Sequence, residues 1–174
     1  MSWNGWKWAG SPSYAVSDNI TIRPATAEDA EFIVRGNAAM ALETENLSLD
    51  LDRLRDGVHG LFEDAARGFY LIAEIAGRRA GQLMITYEWS DWRNATFWWI
   101  QSVYVVPEFR GRGVFGALYR HVEREARSRK DVCGLRLYVE AENERAQATY
   151  EKVGMSRSNY QFFEVDFVLV RSAR

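Results

Sequence analysis

The chain has 174 residues, 47% hydrophobic and 26% charged, enough for one domain with a buried core. Its 22 Lys and Arg against 24 Asp and Glu leave a formal charge of −2, which excludes a general field that gathers nucleic acid. One cysteine and two histidines exclude an internal disulfide and a metal-ligand cluster. No apolar run approaches membrane-spanning length, and the N-terminus lacks the basic and apolar blocks of a secretory signal, so a cytoplasmic protein is expected.

Residues Met1 to Asn19 show no periodicity and many turn-formers, yet carry Trp3, Trp6 and Trp8. They read as a loose tail or as an arm whose indoles dock on this domain or on a second subunit. A single domain is expected over residues 20–174. Ile20 to Ile22 is a short strand closed by Arg23-Pro24. Thr26 and Asp29 form a capping arrangement for a helix from Ala27 to about Leu42, with Ala30, Val34, Ala38 and Ala41 on one face. The segment Glu43 to Asn46 interrupts that pattern. A second helix, Asp50 to about Arg67, carries Leu51, Leu54, Val58, Leu61 and Phe62 as a stripe, with His59 beside it as a surface histidine.

Phe69 to Ala76 and Ala80 to Trp89 alternate as strands around a hairpin turn at Gly77 to Arg79. A polar connection, Ser90 to Ala95, leads to a strand from Thr96 to Val106. Phe97-Trp98-Trp99-Ile100 is bulky on both faces, so that strand should be central and covered on both sides. Glu88 and Asp91 sit at the hairpin, where solubility explains them. The helix from Gly113 to about Lys130 turns Val114, Ala117, Leu118 and Val122 inward, with Glu123 and Arg127 as a solvated pair. Cys133 reads as a small buried apolar residue. Leu135, Leu137 and Val139 alternate as a strand, Asn143 to Val153 is a short helix ended by Gly154, and Gln161 to Val170 is a final strand. The class is α/β, or mixed α+β, with a parallel crossover between Thr96 and Glu140 and antiparallel pairing elsewhere.

The stretch Val103 to Gly116 organises the chain. A β-branched run is stopped by Pro107, and Arg110-Gly-Arg-Gly113 leads into a helix. That order presents backbone N–H groups, a helix dipole and two arginines to one point, which suits a phosphate or pyrophosphate. A tight connection with solvated arginines explains the same residues locally.

Two motifs decide between these readings. Arg110-Gly-Arg-Gly113-Val-Phe115 and, one helix and one strand later, Asn143-x-x-Ala146-x-x-x-Tyr150-x-x-x-Gly154-Met155 resemble the signatures of the GCN5-related N-acetyltransferase (GNAT) superfamily. The resemblance covers about Ile20 to Val170. It implies a central, mostly antiparallel sheet of about six strands with four helices and a splay between the fourth and fifth strands.

The resemblance also implies acetyl-CoA as co-substrate, with no metal. Backbone N–H groups of Gly111, Arg112, Gly113, Val114, Phe115 and Gly116 would hold the pyrophosphate, helped by the charges of Arg110 and Arg112. The pantetheine arm would lie beside Val103, Tyr104 and Val105, with Asn143 holding it. Backbone N–H groups of a bulge near Val103 would receive the oxyanion, and Tyr150 would be the general acid. Phe115 stands where the family has glycine or alanine, so the cradle requires its ring to turn away.

No carboxylate lies in the central strand to act as base. Glu43 and Glu45, expected in the connection between the first two helices, could attract a cationic amine and take its proton. Solvated loop acids explain them equally. Trp98, Trp99 and Gln101 could wall an acceptor pocket, with core packing the simpler account of at least one indole. The expectation is acetyl transfer to a primary amine of a small molecule. A peptide acetyltransferase is the alternative within enzymes, and a silent acyl-CoA-binding module the alternative outside them. A homodimer is left open.

Overall fold

The computed structural model describes residues 19–169. The Trp-bearing segment ahead of Asn19, and Val170 onward, lie outside them. The chain divides after Leu137 into two compact units.

In the first unit, β1 (Ile20–Pro24), β2 (Phe69–Ile75), β3 (Arg78–Ser90), β4 (Ala95–Val105) and β5 (Val132–Arg136) form one sheet in that spatial order. Every pairing is antiparallel except β4 with β5. That parallel pair is joined through α3 (Val114–Ser128), the crossover that the pattern predicted.

The two faces follow from alternation. Tyr70, Ile72 and Met84 pack with Ala30, Ile33 and Val34 of α1 (Ala30–Glu45) and Val58 and Leu61 of α2 (Leu51–Glu63). On the opposite face Leu71, Leu83, Ile85, Trp98 and Ile100 are buried, as are Val114, Leu118 and Val122 of α3. With Phe97 and Trp98 both buried and partner strands on both sides, β4 is interior, as its bulk requires.

A buried carboxylate ties β1 to this core. Asp29 is wholly inaccessible. It receives Arg23 through both terminal nitrogens at 2.7 and 2.9 Å, Arg79 Nε at 2.6 Å and the Thr26 N–H at 2.9 Å. The capping residue foreseen from sequence is thus also an ion-pair hub.

Several boundaries differ from expectation. Residues 27–29 form a 3-10 turn, and α1 begins at Ala30 and continues to Glu45. Glutamate is a good helix former, and Thr44 keeps its hydroxyl on the Met40 carbonyl at 2.9 Å, so the helix runs until Asn46 takes a left-handed φ of 52°. The second helix stops at Glu63, because the Asp64 side chain bonds the Ala66 N–H at 3.0 Å and competes with another helical turn. Cys133 is half-buried rather than buried.

In the second unit, α4 (Glu144–Lys152) stands as read. The final strand does not form among residues 161–169, so the sheet has five strands rather than about six. Alternation makes a segment fit for a ladder but does not by itself pair it. Here Asp166 instead closes local turns onto the Val168 and Leu169 N–H groups at 2.7 and 2.8 Å.

The hairpin turn falls on Ala76-Gly77, one residue earlier than expected. Both have positive φ, 49° and 73°, the signature of a two-residue type I′ connection that prefers Asn-Gly. An alanine there is held in the left-handed region at a cost of about 1 kcal/mol. Ala76→Asn should therefore raise the melting temperature by about 2–4 °C. An unchanged value in a thermal melt would refute the strain.

Candidate active site

The chain stays on the sheet up to Val106, whose N–H bonds the Ala80 carbonyl at 3.0 Å. Pro107–Phe109 then forms a single 3-10 turn anchored by the buried Phe109 ring. The guanidinium groups of Arg78 and Arg112 lie 5.1 and 5.3 Å from that ring's centroid. Gly111 and Gly113 have φ of 78° and 83°, while an added Cβ at either would meet nothing within 4 Å. Glycine is needed here for backbone handedness, not for space.

These two residues turn the chain into α3, whose first bond runs from the Ala117 N–H to the Gly113 carbonyl at 3.0 Å. The N–H groups of Val114, Phe115 and Gly116 therefore belong to the first turn, ahead of that bond and at the positive end of the helix. The Phe115 ring packs on Tyr119 one turn further along, with centroids 6.2 Å apart.

Beside this turn runs β4. Its parallel ladder with β5 ends at Trp99 opposite Arg136, whereas the pairing with β3 continues to Val105 opposite Gly81. That divergence is the splay expected between the fourth and fifth strands. A bulge interrupts the β3 side. Gln101 faces Met84 and Tyr104 faces Gln82, leaving Ser102 and Val103 opposite Leu83 alone. Ser102 has φ of 50°, a left-handed bulge position usually given to glycine. The extra residue changes the strand's phase, so Phe97, Trp99 and Gln101 before it, and Tyr104 after it, all face α1.

Glu43 and Glu45 belong to the last turn of α1 and not to the connection beyond it. Glu43 holds the Arg110 guanidinium at 2.7 Å. Arg110 also donates from Nε to the Val105 carbonyl at 2.9 Å and lies 5.6 Å from the centre of the Tyr104 ring. The structure therefore joins two predicted site residues that the sequence treats separately.

On the α1 face, Gln101 donates to Thr86 and the Trp99 indole N–H donates to Glu88. Glu88 also accepts from Arg136 at 2.6 Å. Both donors hold its carboxyl below the ordinary range, against the opposing effect of burial. Glu88 is thus a fixed anion on the face shared with Trp99 and Gln101, not a hairpin solubiliser. Its register opposite Phe97 was the missing signal, because hairpin length is set by the turn.

In the second unit, Asn143 caps α4 by accepting the Ala146 N–H at 3.0 Å. Gly154, with φ of 91°, follows the helix end. Tyr150 lies in the last turn, and burial raises its phenol above the ordinary value.

A cleft on the α3 face, lined by Phe69, Tyr87 and Trp98 among others, contains none of the predicted site residues apart from that indole, which the sequence had offered as one wall of the acceptor pocket. Among the described residues no group of histidine, cysteine and carboxylate side chains could hold a metal, and no helix is long and apolar enough to cross a membrane.

Residues 37–155 match the model of the acetyltransferase (GNAT) family. A solved structure from Clostridium difficile 630, described as a possible acetyltransferase, is 41% identical, with a TM-score of 0.80 over 86% of this chain and 98% of that one. The fold is also that of a predicted acetyltransferase from Clostridium acetobutylicum determined with acetyl-CoA, at a TM-score of 0.67 and 15% identity over 84% of this chain and 96% of that one. A mycothiol acetyltransferase of Corynebacterium aurimucosum is 31% identical over 74% of this chain and 43% of its own length. The chain therefore spans less than half of that relative.

Proposed function

Because the chain belongs to the acetyltransferase (GNAT) family, we propose that it transfers an acetyl group from acetyl-CoA directly to a primary amine of a small molecule, with residues 20–174 working as one catalytic domain. The observation that carries this reading is the pair of left-handed glycines, Gly111 and Gly113, turning the chain into the positive end of α3 beside a strand whose outer ladder stops at Trp99. The first feature suits a pyrophosphate. The second leaves backbone groups of Val103, Tyr104 and Val105 as partners for the amides of a pantetheine arm.

In this mechanism the amine attacks the thioester carbonyl. Charge gathers on its oxygen opposite the bulge N–H near Val103. The thiolate then leaves and takes a proton from Tyr150, while Asn143 steadies the arm. Arg110 exchanges Glu43 for phosphate as the co-substrate binds. The released Glu43, with Glu45, draws the ammonium group in and accepts its proton directly or through water. Trp99, Gln101 and the fixed Glu88 line the acceptor side. The relative named for mycothiol supports a small acceptor over a peptide.

The test is free-thiol release from acetyl-CoA across a panel of amines, together with calorimetry of CoA binding. Arg110→Ala combined with Arg112→Ala should weaken CoA roughly 100-fold, as expected for two lost charge-assisted contacts of about 1.5 kcal/mol each. Unchanged affinity would remove the phosphate reading.

A further inference from the structure

The Arg110 guanidinium is tied to a helix and to a strand. Its Nη2 lies 2.7 Å from Glu43 Oε2 in the last turn of α1. Its Nε donates to the Val105 carbonyl at 2.9 Å. Its central carbon stands 5.6 Å from the centre of the Tyr104 ring, within reach of a cation–π contact.

The direction of the Val105 carbonyl follows from the register. The Val106 N–H points at β3, because it bonds the Ala80 carbonyl at 3.0 Å. The peptide joining Val105 to Val106 is trans. Across a planar trans peptide the C=O and the following N–H point in opposite directions. The Val105 carbonyl therefore faces away from β3, to the side where the ladder with β5 has already ended at Trp99. That is the side proposed for the pantetheine arm. Arg110 Nε stands at this carbonyl as a donor, the part that an amide of the arm would take. Glu43 stands to the same guanidinium as an oxyanion, the part that a phosphate would take.

We propose that Glu43, Arg110 and Val105 form an autoinhibitory clasp on the co-substrate groove, through which Glu43 weakens the binding of acetyl-CoA. This rests on the phosphate and pantetheine roles proposed above. Each contact that the co-substrate makes with Arg110 or with the Val105 carbonyl breaks one that the chain makes with itself, and only the difference adds to affinity. The clasp is light. The Glu43 and Arg110 side chains keep 43% and 36% of their exposure, and an ion pair that open changes an equilibrium constant by about twofold to fivefold. The relation is reciprocal. An ammonium group that draws Glu43 away leaves Arg110 to the phosphate, so a cationic acceptor and the co-substrate favour each other.

The experiment is calorimetry of CoA without an acceptor, so that nothing turns over. Glu43→Gln should bind CoA about twofold to fivefold more tightly than wild type, the reverse of what losing a site residue does. Glutamine keeps the helix, being as good a helix former as glutamate. Loss of a negative charge near a polyanion also tightens binding through the general field. An Arg110→Ala background, itself weaker for CoA, separates the two, because the field effect persists there and the clasp does not. Glu43→Gln should make no difference in that background. Pantetheine, which carries no phosphate, reads the Val105 contact. Arg110→Ala should bind it about twofold or more tightly than wild type in ligand-observed NMR.

A Glu43→Gln variant no tighter for CoA than wild type overturns the proposal, as does an equal gain in the Arg110→Ala background. Pantetheine bound no more tightly by Arg110→Ala removes Val105 from the clasp. The double variant Arg110→Ala with Arg112→Ala distinguishes the two readings. If it loses CoA affinity while Glu43→Gln gains none, the phosphate reading stands and the clasp alone fails. If it binds CoA as wild type does, the phosphate reading fails and the clasp with it.

Discussion

Tyr150→Phe should lower turnover by about 100-fold or more, the usual contribution of a placed general acid, while leaving acetyl-CoA affinity within about twofold. The substitution removes one O–H and keeps the ring, so packing in α4 survives. Burial raises the Tyr150 phenol, which keeps it protonated throughout the neutral range and fits it to give a proton rather than take one. The sign for pH follows. The acid form is lost only above the ordinary tyrosine value of about 10, so any alkaline fall in wild-type kcat due to this group lies beyond that point. Steady-state thiol release at saturating substrates measures it. Full turnover in Tyr150→Phe would leave the residue a packing tyrosine, and the thiolate would then leave unprotonated or draw its proton from water.

Asp29→Asn should cost about 3–5 kcal/mol, the range for breaking a buried ion pair from one side, and lower the melting temperature by roughly 10 °C. Oδ1 receives two donors, from Arg23 and Arg79, and Oδ2 three, from Arg23 and from the N–H and hydroxyl of Thr26. Whichever oxygen becomes an amide, at least two donors face another donor. The lower half of the range applies, because the Arg23 and Arg79 side chains keep 31% and 40% of their exposure and can turn to water. The arginines hold the Asp29 carboxyl well below the usual carboxylate range. Its contribution is therefore complete above the unfolded value near 4 and lost as pH falls towards the folded one. Urea midpoints should show a wide gap between wild type and variant at pH 7 that narrows below pH 4. A gap constant with pH would mean that the charge is not what Asp29 supplies.

Much of this molecule was legible because its signals are local. Pro107, the glycines at 111 and 113 and the switch from period two to helical spacing state the strand, turn and helix within a dozen residues. Asn143 and Gly154 likewise bracket α4. What stayed hidden depends on register. The Ser102 bulge shows in sequence only as a change of phase, with Trp99 and Gln101 facing α1 and then Tyr104 rather than Val103. That phase has no meaning until β3 supplies a partner. Glu88 was assigned to the hairpin for the same reason. The absent strand at residues 161–169 is the converse case, an alternating pattern whose backbone N–H groups at Val168 and Leu169 are taken by the Asp166 side chain. Glu43 and Glu45 looked like loop acids because helix ends are set by the residue that stops them, here Asn46.

The sheet's spatial order is its chain order, and this bears on how the molecule assembles. β2, β3 and β4 are joined by short connections, so their contacts close little chain and can zip early. β1 must instead find β2 across the whole of α1 and α2, and Asp29 can gather Arg23 from one side of that gap and Arg79 from the other only once it does. The ion-pair hub is then a late clasp, and losing it should speed unfolding more than it slows folding.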